Sequence, residues 1–402
     1  MKSPIEKSQG WNITEAERAI YRNRSQASSA AKAKALRGEG PKPIHPINVP
    51  KLHPEDLMPQ LPPHGLRSLS LFSGGGGLDL GFDRAGFTHV ASYDILPDAG
   101  KTLTQNRPHW TVFAGEPGDV TPIDWGSYRG LVDVIHGGPP CQPFSVAGHQ
   151  KGKADRRDMF PEFVRAVLEI QPLAFVAENV TALLGKKFNS YVEEEIEKPL
   201  SKTYHLTKFI LSAPDFGIPQ IRKRVFFVGF KTDKMAEKYQ PPQPTHHWEK
   251  GEAISIGQAI QLDLFSPGEP SQLPRCMGIR EALGLPDIGF DALAPTIRSG
   301  LTGPRHTTSV LSSVSAQKTW EKLQIWPNGV AANREQAHLF VAKSGHFRLS
   351  VADCAMIQGF PEFWRIEGAV YMALGQIGNA VPPPVVYRVA ESVQVAIQTD
   401  IN

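Results

Sequence analysis

The sequence predicts an α/β fold: a doubly wound, mostly parallel sheet joined to a smaller, irregular second domain. Three observations carry that expectation. Short apolar runs alternate with helical segments from about residue 67 to residue 230, the pattern of strands linked by crossover helices. Four consecutive glycines, Gly74 to Gly77, stand directly between a strand and a helix, and ligands in such sheets sit at the carboxyl ends of strands. From about Lys231 to Gly345 periodicity fades and Pro, Gly, Ser and basic residues become common, which points away from further sheet.

Residues 1–66 precede this pattern. Thr14 and Glu17 have capping-box spacing, and the Ala-, Ser-, Lys- and Arg-rich stretch onward to Leu36 predicts a helix stopped by Gly38. A solvated helix or arm is the plain reading, and an arm facing nucleic acid is the other. Eight prolines between residues 41 and 63 predict a linker ending near Gly65. Residues 67–73 then read as a strand and residues 78–85 as a helix. Strands follow at 89–95 and 132–138, an amphipathic helix at 160–170 and a strand at 173–179. Residues 205–213 and 224–230 read as later strands with antiparallel pairing. Beyond the irregular region, residues 349–360 and 385–397 are helical, and no internal repeat is found.

The 402 residues suffice for two or three domains, and 41% hydrophobic with 21% charged residues is the balance of a soluble globular protein. No run of about 18 apolar residues predicts a membrane span, and the N-terminus opens polar and basic, without an apolar signal region. Three cysteines without metal-type spacing argue against a disulfide framework or a zinc site. They fit a reducing cytoplasm, where a free thiol serves as a nucleophile. The net charge of +3 is compatible with nucleic acid without demanding it.

The chemistry-bearing residues cluster at predicted strand ends. The glycine run lets backbone approach a ligand closely, although Asp79 stands where the strict dinucleotide pattern has its third glycine. Asp94 ends the next strand, where a carboxylate accepts both hydroxyls of a ribose, so a nucleoside-containing cofactor is expected. Asp119 is placed to read an adenine amino group. Cys141 follows GGPP and precedes Gln142 and Pro143. Prolines on both sides disfavour a helix or central strand, and a positioned nucleophile is expected over a buried inert thiol. Glu178, at the end of an apolar strand, needs a polar partner or a raised pKa. Arg222 and Arg224, two apart, share one face of a strand. A thiol, a carboxyl group and two guanidiniums beside a nucleoside cofactor fit one reaction. A thiolate adding to carbon 6 of cytosine makes carbon 5 nucleophilic, while a carboxyl group at ring nitrogen 3 offsets the developing charge.

Six stretches carry a family resemblance: SLFSGGGGLDLGF, GGPPCQPFS, AENV, DFGIPQIRKRVFFVGF, RLSVADCAMIQGFPEFW and QIGNAVPPPV. In this order, from about Leu69 to the C-terminus, the chain resembles a DNA (cytosine-5)-methyltransferase of the bacterial type. The resemblance implies a Rossmann-like methyltransferase fold and S-adenosylmethionine as methyl donor. It implies a cofactor set of Phe72 against the adenine, Ser73, Gly74, Gly75, Gly76, Gly77 and Leu78 around the methionine part, Asp94 with Ile95 at the ribose, and Asp119 with Val120 at the adenine. Pro140, Met159, Asn379 and Val381 complete that set. Asp94 followed by Ile95 is a shorter, less aromatic version of the family's usual Glu and bulky residue. Cys141 is implied as the nucleophile, Glu178 as the group at nitrogen 3, and Arg222 and Arg224 as the arginines of the site, Arg224 nearest the cytosine oxygen.

On the DNA side the resemblance implies Gln142 and Ser145 beside a flipped-out nucleotide and Gln220 ordering the site. The basic loop with Lys151, Lys153, Arg156 and Arg157 becomes a lid over phosphates. Arg298 and Arg305 fall in expected contact loops of a target-recognition domain. The implied division is a basic extension and linker (1–66), a catalytic and cofactor domain (67–230), a target-recognition domain (231–371) and a returning C-terminal segment (372–402). The expected partner is double-stranded DNA, with no membrane and no metal. A monomer in the bacterial cytoplasm is expected, serving beside a restriction endonuclease or in other phage defence. Two other readings are a transfer-RNA methyltransferase of the same architecture, whose Cys-Phe-Thr signature is absent, and a non-catalytic DNA-binding regulator.

Overall fold

Seven strands form the central sheet of the computed structural model, which describes residues 14–39, 42, 45–140, 158–248, 273–299, 308–342 and 344–401. The strands are β1 (Arg67–Leu71), β2 (Thr88–Asp94), β3 (Val112–Ala114), β4 (Val134–Gly137), β5 (Ala174–Val180), β6 (His205–Ser212) and β7 (Lys223–Phe230). Their order is β3-β2-β1-β4-β5-β7-β6. All run parallel except β7, which is antiparallel to both β5 and β6. β1, β4 and β5 are buried along nearly their whole length, because helices cover both faces of a parallel sheet. That burial is why they read as almost unbroken apolar runs.

The helix expected in the N-terminal extension is α1 (Glu15–Leu36). Each face of the sheet has its own core. On one side, α2 (Gly77–Arg84) and α3 (Pro97–Asn106) pack with the C-terminal helix Pro383–Ile401, whose Val385, Val386, Val389 and Val393 are buried. On the other side, helix α4 (Phe160–Ile170) turns Phe160, Phe163, Val164, Val167 and Ile170 toward the sheet, a stripe at helical spacing. Each such fully buried side chain contributes roughly 2 kcal/mol. Between β1 and β4 the direction of strand addition reverses. In sheets of this kind the loops leaving two such strands diverge, and ligands bind between them at the carboxyl edge.

Two features depart from the sequence reading. From residue 45 onward, the proline-rich stretch expected as a linker is a packed strap. Leu52 and Met58 are 6% and 0% exposed. The backbone amides of Lys51 and Leu52 both donate to Ala282 O, at 3.0 and 3.2 Å, and Leu61 N donates to Arg84 O at 2.8 Å. Buried Asn48 donates to Leu283 O at 3.2 Å and to Asp353 Oδ1 at 3.0 Å. Prolines suit this path because much of it docks through side chains and carbonyls rather than through a hydrogen-bonded ladder. The described residues of and just after the irregular region also include regular elements that its composition does not suggest. These are a helix, Val314–Lys322, with Trp320 fully buried, and a two-stranded parallel pair, β8 (Ile325–Ala331) and β9 (Phe347–Ser350).

Candidate active site

The glycine-rich loop leaves β1 through Phe72, whose φ of 58° is left-handed. An aromatic residue adopts that conformation only where its surroundings over-determine it, and such residues concentrate at binding sites. Gly74 N donates to Asp94 Oδ2 at 2.7 Å, and Leu96 N donates to the other carboxylate oxygen at 2.7 Å. Asp94 thus ties the loop after β1 to the loop after β2. It is 8% exposed, and burial raises its pKa to about 6 against the pull of those two amides. Asp79, which breaks the dinucleotide spacing, lies buried beneath the loop and accepts a 2.6 Å hydrogen bond from Ser92 Oγ. Burial raises its pKa as well.

The second half of the site is built on β4, β5 and β7. Asn179 donates to Pro139 O at 3.1 Å, which fixes the bend that follows β4. Glu178, the preceding residue on β5, is buried. Its Oε1 lies 2.7 Å from Arg224 Nε on β7. In the β5–β7 register Val180 faces Arg224 and Glu178 faces Phe226, so Glu178 and Arg224 are diagonal neighbours on one face. Desolvation raises the Glu178 pKa, while Arg224 and then Arg222 oppose it. The carboxyl group also lies against the bend: a β-carbon at Gly138 would sit 3.1 Å from Glu178 Oε2. A side chain at that position would crowd the oxygen, so the turn and the carboxyl group lie close together.

Cys141 is the residue after Pro140, where the described backbone ends, and itself lies outside the described residues. So do Gln142, Ser145, Lys151, Lys153, Arg156, Arg157 and Arg305. Among the other expected site residues, Pro140 and Ile95 are exposed at the strand edge, and Phe72, Gly74 and Met159 are half-buried. Ser73, Gly75, Gly76, Gly77, Leu78, Val120 and Val381 are buried around them. Asp119 accepts from Thr121 N at 2.9 Å and Thr121 Oγ1 at 2.8 Å, which lowers its pKa. Asn379 is exposed at the end of the helix Val370–Asn379, and Arg298 is exposed nearby in the chain segment that packs on that helix.

Two expectations change. Gln220 does not face DNA: it is fully buried, and its amide donates to Ile357 O at 3.1 Å and Gln358 Oε1 at 2.9 Å while accepting from Ile297 N at 3.2 Å. It braces the sheet against the second region. Arg222, expected among the catalytic groups, is 2% exposed and donates to Gly378 O at 2.9 Å and Ala380 O at 2.5 Å. It therefore holds the Asn379 turn, while its charge still acts on Glu178.

Sequence reading missed several supports. Trp364 Nε1 donates to Gly75 O at 2.9 Å. Thr102 Oγ1 donates to Gln376 Oε1 at 2.7 Å, and Gln376 donates to Glu367 O at 2.8 Å. Trp364 and Gln376 lie in the quoted RLSVADCAMIQGFPEFW and QIGNAVPPPV stretches, but nothing in their local pattern says that they meet a loop nearly 300 residues earlier.

Residues 66–270 and 293–395 match the family model for C-5 cytosine-specific DNA methylase. The chain belongs to that family. It is a DNA (cytosine-5)-methyltransferase. Over 335 residues the methyltransferase is 35% identical to the type II methyltransferase M.NgoMIV of Neisseria gonorrhoeae, an alignment covering 83% of this chain and 98% of that relative. Over 338 residues it is 30% identical to the type II methyltransferase M.NaeI of Lentzea aerocolonigenes, covering 83% of this chain and 76% of that one. Its fold is that of a solved Dnmt2 variant from Spodoptera frugiperda, at TM-score 0.53 and 17% identity over 82% of this chain and all of that chain. The matched region begins at residue 66, so α1 and most of the strap lie outside it. Among the described residues there is no group of three or more His, Cys, Asp or Glu side chains placed to hold a metal, and no helix long and apolar enough to cross a membrane.

Proposed function

We propose that the methyltransferase modifies carbon 5 of a cytosine lifted out of duplex DNA, with Cys141 as nucleophile and Glu178 as proton donor. One observation carries this reading: a buried carboxyl group with a raised pKa, ion-paired to Arg224, lies against the bend that leads directly into Cys141. The sulfur of Cys141 adds to carbon 6 and forms the S–C6 bond. The C5=C6 π electrons move onto carbon 5 and the ring, and Glu178 supplies a proton at nitrogen 3, leaving carbon 5 enamine-like. After substitution at carbon 5, water takes the carbon-5 proton, the C–H electrons re-form the C5=C6 bond, the S–C6 bond breaks to release the thiolate, and nitrogen 3 returns its proton to the Glu178 carboxylate. Arg224 balances the Glu178 carboxylate once its proton has gone and stands nearest the cytosine oxygen.

The residues at the β1 and β2 ends fit S-adenosylmethionine. Asp94 presents a largely desolvated carboxylate where ribose hydroxyls would lie. Phe72 and Ile95 offer apolar surface for the adenine, with Asp119 and Val120 beside its edge. Gly74 to Gly77 leave backbone room at the crevice. When bound, that group supplies the electrophilic methyl. Asn379 and Val381, held by Arg222, close the same side. The basic loop after Cys141 and the second region, including Arg298 and Arg305, contact DNA, and the enzyme acts in restriction-modification, as its type II relatives are named. The domain division at residues 66, 230 and 371 belongs to this reading.

The test is a duplex carrying 5-fluorocytosine at the target, found by bisulfite sequencing of DNA from expressing cells. Fluorine at carbon 5 blocks the final elimination, so a denaturation-resistant protein–DNA adduct at Cys141 is expected. Turnover without any adduct would overturn the mechanism.

A further inference from the structure

We infer that helix α1 is a DNA-backbone arm of the enzyme, on a surface outside the family match. The inference rests on the reading of the chain as a DNA methyltransferase and adds a contact surface to it. Charge is the first argument. Residues 15–39 carry six basic and three acidic side chains, a net +3 that equals the formal charge of the whole 402-residue chain. The rest of the molecule therefore sums to zero, so this short arm carries a positive charge equal to the net charge of the whole chain.

Packing is the second argument. Along α1, among the positions whose burial is defined, Ala35 alone is buried, and Ile20 is 50% exposed. The exposed positions are dominated by Ala, Ser, Asn, Gln and charged residues rather than by an apolar stripe that a protein groove would need. Arg22 pairs with Glu15 at 2.6 Å, but both side chains are about two-thirds or more exposed, at 66% and 71%, so that pair holds the helix weakly. Among its described side chains the helix gains little tertiary packing, and such a helix is marginal in water unless something else, here neutralising phosphates, stabilises it. Its 22 residues span roughly 33 Å, close to one turn of duplex DNA.

Placement is the third argument. The part of the strap nearest the arm docks on the second region. His45 Nε2 hydrogen-bonds Gly345 O at 2.8 Å, and Asn48 and Lys51 hold Leu283 O and Ala282 O. The Ala282 and Leu283 carbonyls belong to the segment that continues to Arg298 and Ser299, which pack on Gly378 beside Asn379. The arm thus starts from the region proposed to face DNA.

The experiment uses the full-length enzyme with Arg18→Gln, Arg22→Gln, Arg24→Gln, Lys32→Gln and Lys34→Gln combined. Fluorescence anisotropy of a labelled duplex between about 50 and 200 mM NaCl gives the salt slope of binding. Loss of about three phosphate contacts makes the slope shallower by about 2.7, so across that fourfold salt rise the wild type loses about 40-fold more affinity than the variant. Specific and non-specific duplexes should change alike, kcat at saturating DNA should hold, and Arg–Lys exchanges at the five positions should restore the slope. An unchanged slope in a variant that still methylates overturns the arm while leaving the methyltransferase reading intact. A wild type that binds DNA but never methylates it overturns the latter instead.

Discussion

Replacing Asp94 with asparagine isolates the cost of holding a carboxylate beneath the cofactor loop. Burial lifts the Asp94 pKa from 3.8 to about 6 although two backbone amides stabilise the charge. That rise corresponds to roughly 3 kcal/mol disfavouring the charged form in the native state. The sign follows from proton binding. Between the unfolded and folded pKa values the native state holds the extra proton, so this group's contribution to stability falls as pH rises from about 4 to about 6 and is level above that. The asparagine side chain does not titrate. Relative to wild type, Asp94→Asn should therefore gain about 3 kcal/mol between pH 4 and pH 7, whatever constant offset comes from exchanging one acceptor for a donor. Urea denaturation of both proteins across that range measures the difference directly. A difference that stays flat with pH would show that the carboxylate is not desolvated as the structure has it. The same logic reaches the ligand. Ribose hydroxyls that donate to Asp94 favour its ionised form, so S-adenosylhomocysteine should bind more tightly as pH rises through about 6 in wild type. The variant should bind it about 10- to 100-fold more weakly, without that pH dependence.

Three further outcomes are expected. Cys141→Ser should abolish methyl transfer from labelled cofactor while leaving duplex affinity within a few-fold, and near-normal transfer would remove Cys141 from its role. Glu178→Gln should lower kcat by about 10²- to 10⁴-fold, the range of a lost general acid; in wild type, activity should decline as pH rises through the raised Glu178 pKa, and the variant should lose that limb. Gln220→Ala should cost about 1–3 kcal/mol of stability by leaving the buried Ile297 N–H unpaired, with the salt slope of DNA binding unchanged, and a shallower slope would return Gln220 to the DNA face.

The sheet was legible because its central strands are buried on both faces and their crossover helices carry clear apolar stripes. α4 falls at 160–170 as its period predicts. β3 escaped notice because three residues, Val112–Ala114, are too short to show alternation. The β8–β9 pair escaped because its register is interrupted between Trp326 and Ala331, across Pro327 and Gly329. In the site, Gly74, Asp94, Glu178 and Arg224 could be picked out because strand-end chemistry is local in sequence. Gln220 and Arg222 could not be sorted from Arg224 by alternation. Strand periodicity says which residues share a face, not which of them a distant segment will cover, and here residues 357–358 and 378–380 take up Gln220 and Arg222. The strap was misread for a related reason. Proline-rich composition removes donors and fixes φ, but it leaves carbonyls and apolar side chains free to dock.

Those long-range contacts also join the segment proposed to meet DNA to the loop proposed to hold the cofactor. The helix Val370–Asn379 is gripped on two sides. On one, Gln376 receives Thr102 and reaches Glu367 O, and its β-carbon stands 3.2 Å from where a side chain at Gly75 would begin. At the helix end, Arg222 holds Gly378 O, and a β-carbon at Gly378 would meet Ser299 N at 2.5 Å. The segment carrying Arg298 therefore presses directly on the turn that carries Asn379, while the same helix touches the glycine-rich loop. A packed helix transmits displacement along its axis with little loss, because its interior is close-packed rather than compliant. The loop at Gly75, the turn at Asn379 and the segment of Arg298 and Ser299 are thus all packed on one helix, with Arg222 tying that turn to the strand that bears Arg224.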